Sequence, residues 1–99
     1  MNNQPENRRI GVVAIIVYNP DQTYHRINEI LHEYSSLIVG RLGIPYRERG
    51  LSIISLIVDG STDDIGAMTG KIGQLPEVAV KTGFAKLIPS NKQHLNHDI

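Results

Sequence analysis

Two long apolar runs, Ile10–Tyr18 and Leu51–Val58, constrain this chain more than any other feature. Both are rich in β-branched residues, and only Ser52 and Ser55 interrupt the second one. Continuous runs of this kind predict strands that are covered on both faces, whereas half-exposed strands alternate between apolar and polar residues. Neither run approaches the roughly 20 apolar residues that are needed to cross a bilayer. We therefore expect a sheet with these two strands at its centre.

A helical pattern follows each run. Asn19 and Pro20 suit an N-cap and a first helical position, and apolar residues then recur at helical spacing to about Tyr34. Ser61 and Asp64 have the spacing of a capping box, and the second helix should end before the next proline. The predicted buried stripes are Tyr24, Ile27, Ile30, Leu31 and Tyr34 in the first helix and Ile65, Met68, Ile72 and Leu75 in the second.

Two weaker strands complete the pattern. Leu37–Leu42 predicts the second strand, and Ile44–Gly50, with its proline and glycine, predicts a hairpin loop. Val78–Leu87 contains lysines and a glycine, as an edge strand does. The order βαββαβ predicts an α+β, ferredoxin-like fold: a four-stranded antiparallel sheet with two helices on one face and strands one and three in the middle.

We predict a single domain over residues 8–88, with a flexible lead at 1–7 and a flexible polar tail at 89–99. Two helices can cover only one face of such a sheet, yet both central strands are apolar on both faces. If the uncovered face stayed in contact with water, the protein would lose on the order of 10 kcal/mol of hydrophobic stabilisation. We therefore predict a homo-oligomer, a dimer or a tetramer, joined through one sheet face. The residues assigned to this interface are Val13, Ile15, Val17, Ile53 and Ile57, with the alternate face of the strands as the other choice.

Composition excludes several classes of protein. The chain has 99 residues and no cysteine, so disulfides, thiolate metal sites and cysteine nucleophiles are excluded. Its formal net charge of +0 argues against dependence on attraction to nucleic acid or to an anionic membrane. Arg8 and Arg9 precede an apolar run, but Asn19, Pro20 and Asp21 follow it without a cleavage pattern. We expect a cytoplasmic protein.

Side chains that carry chemistry form no catalytic pattern. His25 and His32 are two helical turns apart, about 10 Å, which is too far to share one metal without further ligands. His94 and His97 lie in the predicted tail, and Asp59–Asp64 lacks the glycine and glutamate of a calcium loop. No nucleophile elbow or phosphate loop is present, and the central strands lack the aromatic residues of an RNA-recognition module. We predict no enzyme activity, no cofactor and no bound metal.

Arginines are concentrated near the predicted hairpin. Arg41, Arg47 and Arg49 accompany Tyr46 there, and guanidinium groups suit bidentate capture of carboxylate or phosphate. The competing interpretation is that these arginines solubilise the turn or contact a neighbouring subunit. A similar choice concerns Gly66, Gly70 and Gly73 in the second helix: they allow either close packing against the first helix or approach of a ligand or partner backbone.

Three segments together resemble the iron-only hydrogenase system regulators: IVGRLGIPYRERG at 38–50, SIISLIVDG at 52–60 and IGAMTGKIGQLPEVAVK at 65–81. The similarity extends over nearly all of residues 8–87. That family is similar to ACT domains and to the effector domain of the nickel-responsive repressor, both ferredoxin-like and oligomeric. The resemblance implies a regulator or sensor of small ligands, with a role in transcription exerted through a protein partner.

The resemblance also limits what can be carried over. The nickel site of the repressor requires a close histidine pair and a cysteine, which this sequence lacks. Because only Met1–Asn7 precedes the predicted domain, we expect no ribbon-helix-helix and no DNA-binding domain of its own. ACT-type domains bind effectors at the loop between the first strand and the first helix. The residues expected to bind a small-molecule effector are Asn19, Arg41, Gly43, Tyr46, Arg47 and Arg49.

Overall fold

A computed structural model of the protein describes residues 8–86, and the predicted lead and tail lie outside this range. The elements are β1 (Arg9–Val17), α1 (Pro20–Glu33), β2 (Ile38–Tyr46), β3 (Leu51–Gly60), α2 (Thr62–Gly73) and β4 (Val78–Phe84). The four strands form one antiparallel sheet in the order β2-β3-β1-β4. This arrangement, with its two helices, confirms the predicted ferredoxin-like fold.

The core lies between the sheet and the helices. On β1 every second residue faces it, so that Val13, Ile15 and Val17 have no exposed surface. They pack with alternate residues of β3 and with the predicted stripes of the helices, where Leu75, Tyr24 and Tyr34 are only partly buried. Each helix contributes three large buried residues: Ile27, Ile30 and Leu31 from α1, and Ile65, Met68 and Ile72 from α2.

Part of the predicted interface is therefore wrong. Val13, Ile15 and Val17 are core residues beneath the helices. The pleat of β1 directs its alternate residues, such as Val12, to the side of the sheet away from the helices. Ile53 and Ile57 do lie on the helix-free side. We call this side the open face; it is formed by Ile10, Val12, Ala14 and Ile16 of β1, Gly40, Leu42 and Ile44 of β2, Ile53, Ser55, Ile57 and Asp59 of β3, and Ala79, Lys81 and Gly83 of β4.

The second strand is longer than predicted. It continues through Pro45 to Tyr46, and only the short 3₁₀ turn Arg47–Arg49 and Gly50 connect it to β3. Proline is tolerated because β2 is an edge strand, where one side of the backbone needs no partner. A register irregularity lies between Ile38 and Gly40. Ile44, Pro45 and Tyr46 consequently belong to a strand and not to the predicted loop.

A polar contact joins the two helices on their solvent side. Lys71 Nζ donates a hydrogen bond of 2.9 Å to Glu33 Oε2 and lies 5.1 Å from the centre of the Tyr34 ring. The hydrogen bond to Glu33, followed by the one to Tyr34, raises the pKa of Lys71. The ammonium group therefore remains charged at neutral pH and loses its proton only in strongly alkaline solution.

The glycines of α2 do not serve close helix packing. Gly66 and Gly70 are exposed, and a β-carbon at Gly66, Gly70 or Gly73 would meet no atom within 4 Å. Of the two alternatives considered for these glycines, close packing of α2 against α1 is therefore excluded. Gly50 differs, because its φ of 68° lies in the left-handed region.

We expect the Gly70→Ala variant to be more stable than the natural chain by about 1 kcal/mol, because alanine restricts the unfolded helix segment and meets open space. The matched Gly50→Ala variant also meets open space but should lose about 1–2 kcal/mol, since its backbone is left-handed. Urea unfolding followed by circular dichroism measures both. Changes of the same sign in the two variants would contradict this difference between the helical and the left-handed glycine.

The helix caps give a second comparison. Ser61 Oγ accepts a 3.0 Å hydrogen bond from the Asp64 backbone, as predicted, whereas the Asn19 side chain occupies the N-cap position of α1 without making a cap bond. Ser61→Ala should therefore cost about 1 kcal/mol of unfolding free energy, and Asn19→Ala less than about 0.5 kcal/mol. Equal losses in chemical unfolding would show that the Asn19 side chain does cap the helix in solution.

Candidate functional site

A groove of about 580 Å³ lies between the N-terminus of α1 and the end of the sheet where β2 turns into β3. We call it the hairpin groove. Two parts of the chain that are distant in sequence meet there. Its lining residues are Asn19, Pro20, Asp21 and Tyr24 on the helix side, and Gly43, Ile44, Pro45, Arg47, Gly50, Leu51 and Ser52 on the hairpin side.

Glycine at position 43 helps to make the groove. Gly43 pairs with the core residue Ile54, so it faces the helix layer. A β-carbon at Gly43 would have only the Tyr24 hydroxyl within contact range, at 3.7 Å. The missing side chain thus leaves space between the edge strand and α1. Gly50, in its left-handed conformation, turns the chain back along the same opening.

The polar groups of the groove are largely uncommitted. Arg47 is exposed and makes no ion pair with any other residue in the range 8–86. The Asn19 side chain makes no cap bond, although its carbonyl oxygen accepts a 3.1 Å bond from the Gln22 backbone. Asp21 adds a carboxylate in the first helical turn. A guanidinium, an amide and a carboxylate therefore surround a surface formed largely by prolines, glycines and aliphatic side chains.

The groove contains half of the predicted ligand-binding set. Asn19, Gly43 and Arg47 line it, whereas Tyr46 and Arg49 do not. Arg41 lies elsewhere: its Nη2 donates a 2.6 Å hydrogen bond to Asn28 Oδ1 of α1. It borders a second, smaller depression of about 390 Å³, which is also lined by Asn28, Leu31, His32, Ser35 and Ile38.

Tyr24 was missed as a site residue because it falls in the apolar stripe of α1. Its partial burial and its hydroxyl at the groove were not visible from helical spacing alone. The signal available in the sequence was the hydroxyl itself, since a tyrosine at the end of a stripe tends to present its polar tip to water. Leu51 and Ser52 were missed because they begin a strand that reads as core.

The histidines of α1 are not assembled into a metal site. His25 Nε2 lies 3.3 Å from Glu29 Oε2 on the exposed side of the helix, and His32 borders the smaller depression. Within residues 8–86, no group of three potential metal ligands comes together. His94 and His97 lie outside that range. Over the same residues, no helix has the length and apolar character needed to cross a membrane.

Solved structures show similar folds. A protein from Thermotoga maritima, TM1266, is 39% identical, with a TM-score of 0.77 over 80% of this chain and 99% of that one. A Galdieria sulphuraria protein described as unknown (15% identity, TM-score 0.59) covers 82% of this chain and 47% of its own. The C-terminal domain of the MgtC protein from Mycobacterium tuberculosis (12% identity, TM-score 0.63) covers 83% and 93%. These last two show similarity of fold alone.

The sequence itself matches a family model over residues 9–82, and this family is described as "TM1266-like: Iron-only hydrogenase system regulator, putative". The match includes all of the strands and helices except the last two residues of β4. No curated protein matches the chain. The matched range and the 39% identity to TM1266 show that the chain belongs to the TM1266-like family of iron-only hydrogenase system regulators.

Proposed function

We propose that this protein is a regulatory domain that responds to a small effector bound in the hairpin groove. The observation that carries the proposal is the meeting of two uncommitted groups, the Asn19 amide and the Arg47 guanidinium, at one concave surface. The groove volume of about 580 Å³ lies within the range of small-molecule sites. Membership of a regulator family supports this kind of function.

The chemistry of the groove favours an effector with one anionic group. Arg47 can hold a carboxylate or a phosphate oxygen pair, and the first turn of α1 adds a favourable dipole. Asp21 opposes ligands with several negative charges and favours a cationic or hydrogen-bond-donating second group. Pro20 and Pro45 can cover an apolar part of the ligand. An effector of modest size with an anionic end and an apolar body satisfies all of these contacts.

Regulation fits the groove better than catalysis does. Its lining contains the Ser52 hydroxyl and the Asp21 carboxylate, but no histidine, lysine or cysteine that could activate a nucleophile. We assign the output of the domain to a protein partner in the cytoplasm, because a net charge of +0 gives no general attraction to DNA.

A second candidate function is pure assembly. All ten residues from Arg41 to Gly50 are exposed, including Leu42, Ile44 and Tyr46. A hairpin of this kind also suits contact with another subunit, in which case its arginines bind no effector. The two functions differ in one measurable way: only the first gives the protein a small-molecule ligand that depends on Arg47.

The test is a thermal-shift screen with a panel of amino acids, nucleotides and inorganic phosphate, followed by titration calorimetry of any probe that stabilises. A probe at one hundred times its dissociation constant should add about 2.7 kcal/mol of stability. Arg47→Gln should weaken its binding by about ten- to a hundredfold, the loss of a charge-assisted contact worth about 1.5–3 kcal/mol.

Arg49→Gln is the matched control, because Arg49 is exposed in the same 3₁₀ turn and does not line the groove. It should change the affinity less than about twofold, since charges outside the site act only through screened, long-range forces. If no probe stabilises the protein, or if both variants lose the same affinity, the result contradicts effector binding in the hairpin groove and favours the assembly function.

A further inference from the structure

The open face consists of three rows of residues that run across all four strands. The first row contains Gly40, Ile57, Val12 and Gly83; the second Leu42, Ser55, Ala14 and Lys81; the third Ile44, Ile53, Ile16 and Ala79. Ile10 and Asp59 continue the face beyond the first row. No helix between residues 8 and 86 covers these rows, since the helices pack on the opposite side.

These rows expose an unusual amount of apolar surface. Val12 is 47% exposed although it lies on a central strand, and Leu42 and Ile44 are 60% and 48% exposed. Strand spacings of about 4.8 Å and about 3.3 Å per residue give the three rows a projected area on the order of 400 Å². The three rows thus supply about half of the roughly 800 Å² that each partner contributes to a standard protein interface.

The charge of the open face suits a second copy of the same chain. Lys81 is the only charged residue within the three rows, and it lies on the edge strand β4. Asp59, beyond the first row, is already paired with Arg8 at 3.0 Å. Two copies therefore meet without like-charge repulsion at the centre. The same lack of basic and aromatic residues disfavours nucleic acid, which binds through phosphate contacts and base stacking.

The relief of the face is also self-complementary. Ala14 and Ser55 form a shallow trough in the middle row, between branched aliphatic residues of the two outer rows. A surface that has both a trough and ridges can interdigitate with a second copy of itself, whereas a uniformly bulky surface cannot. In a two-fold interface the same patch must serve both partners.

We propose that the open face is the contact surface of a homodimer in which two sheets pack face to face. This proposal is separate from effector binding, because it rests on the sheet and not on the hairpin groove. The two features touch at one residue: Ile44 belongs to the third row and also lines the groove.

Sedimentation equilibrium of the full chain at micromolar concentrations tests the proposal. The natural protein should sediment with twice its 11.0 kDa chain mass. Ala14→Glu places a charge in the central trough and should weaken the dimer at least a hundredfold. The monomer tolerates this change, because Lys81 lies directly opposite Ala14 and gives the new carboxylate a cross-strand partner.

Ala67→Glu is the matched control, since it introduces the same side chain at an exposed position of α2. It should leave the dimer intact. Leu42→Glu is a second variant. Leu42 is exposed on the edge strand, so this substitution does not affect the core, and it should also dissociate the dimer. A folded monomer of the natural chain would overturn the proposal, as would a dimer that survives both open-face variants, because its interface would then lie elsewhere.

Discussion

The pairing of β1 with β3 is the interaction on which the rest of the structure depends. It runs in unbroken register from Arg9 opposite Gly60 to Val17 opposite Ser52. This register aligns the core-facing residues of both strands in one continuous apolar surface, where Ile15, for example, lies opposite Ile54. Both helices pack on that surface, and their amphipathic stripes have no other place to be buried. Within residues 8–86, the opposite surface of the same two strands is left without cover as a direct result.

The sequence was sufficient to predict the order of elements, the position of the central strands and the stripes of both helices. Those features depend on hydrophobic periodicity and on the cap, glycine and proline residues at the ends of elements, and both signals are local in the sequence. The side of β1 that faces the core could not be predicted, because Val12 and Val13 are chemically identical. In a strand that is apolar throughout, the residues of one face cannot be distinguished from those of the other. The length of β2 was missed for another reason: glycine and Pro45 indicate a loop in general, but an edge strand accepts them.

The candidate site was predictable only in part. The strand-to-helix loop and the arginine hairpin were both identified, but the position of each arginine along β2 and the following turn decides which one reaches the groove. Arg41 lies on the strand and binds Asn28, whereas Arg47 lies in the turn beyond it. A difference of six positions cannot be resolved when the end of the strand is uncertain by several residues. The space above Gly43 depends on the tertiary position of Tyr24, which no local pattern encodes.

The register of β1 also has a consequence for synthesis. About fifty residues separate Arg9 from its partner Gly60, and the partners of β1 in β4 come later still. At roughly 5–20 residues per second, the ribosome needs several seconds to supply the first of them. During that time a strand that is apolar on both faces has no neighbour. Arg8 precedes this strand and Arg9 is its first residue, a position at which charged residues act as gatekeepers that oppose association between nascent chains.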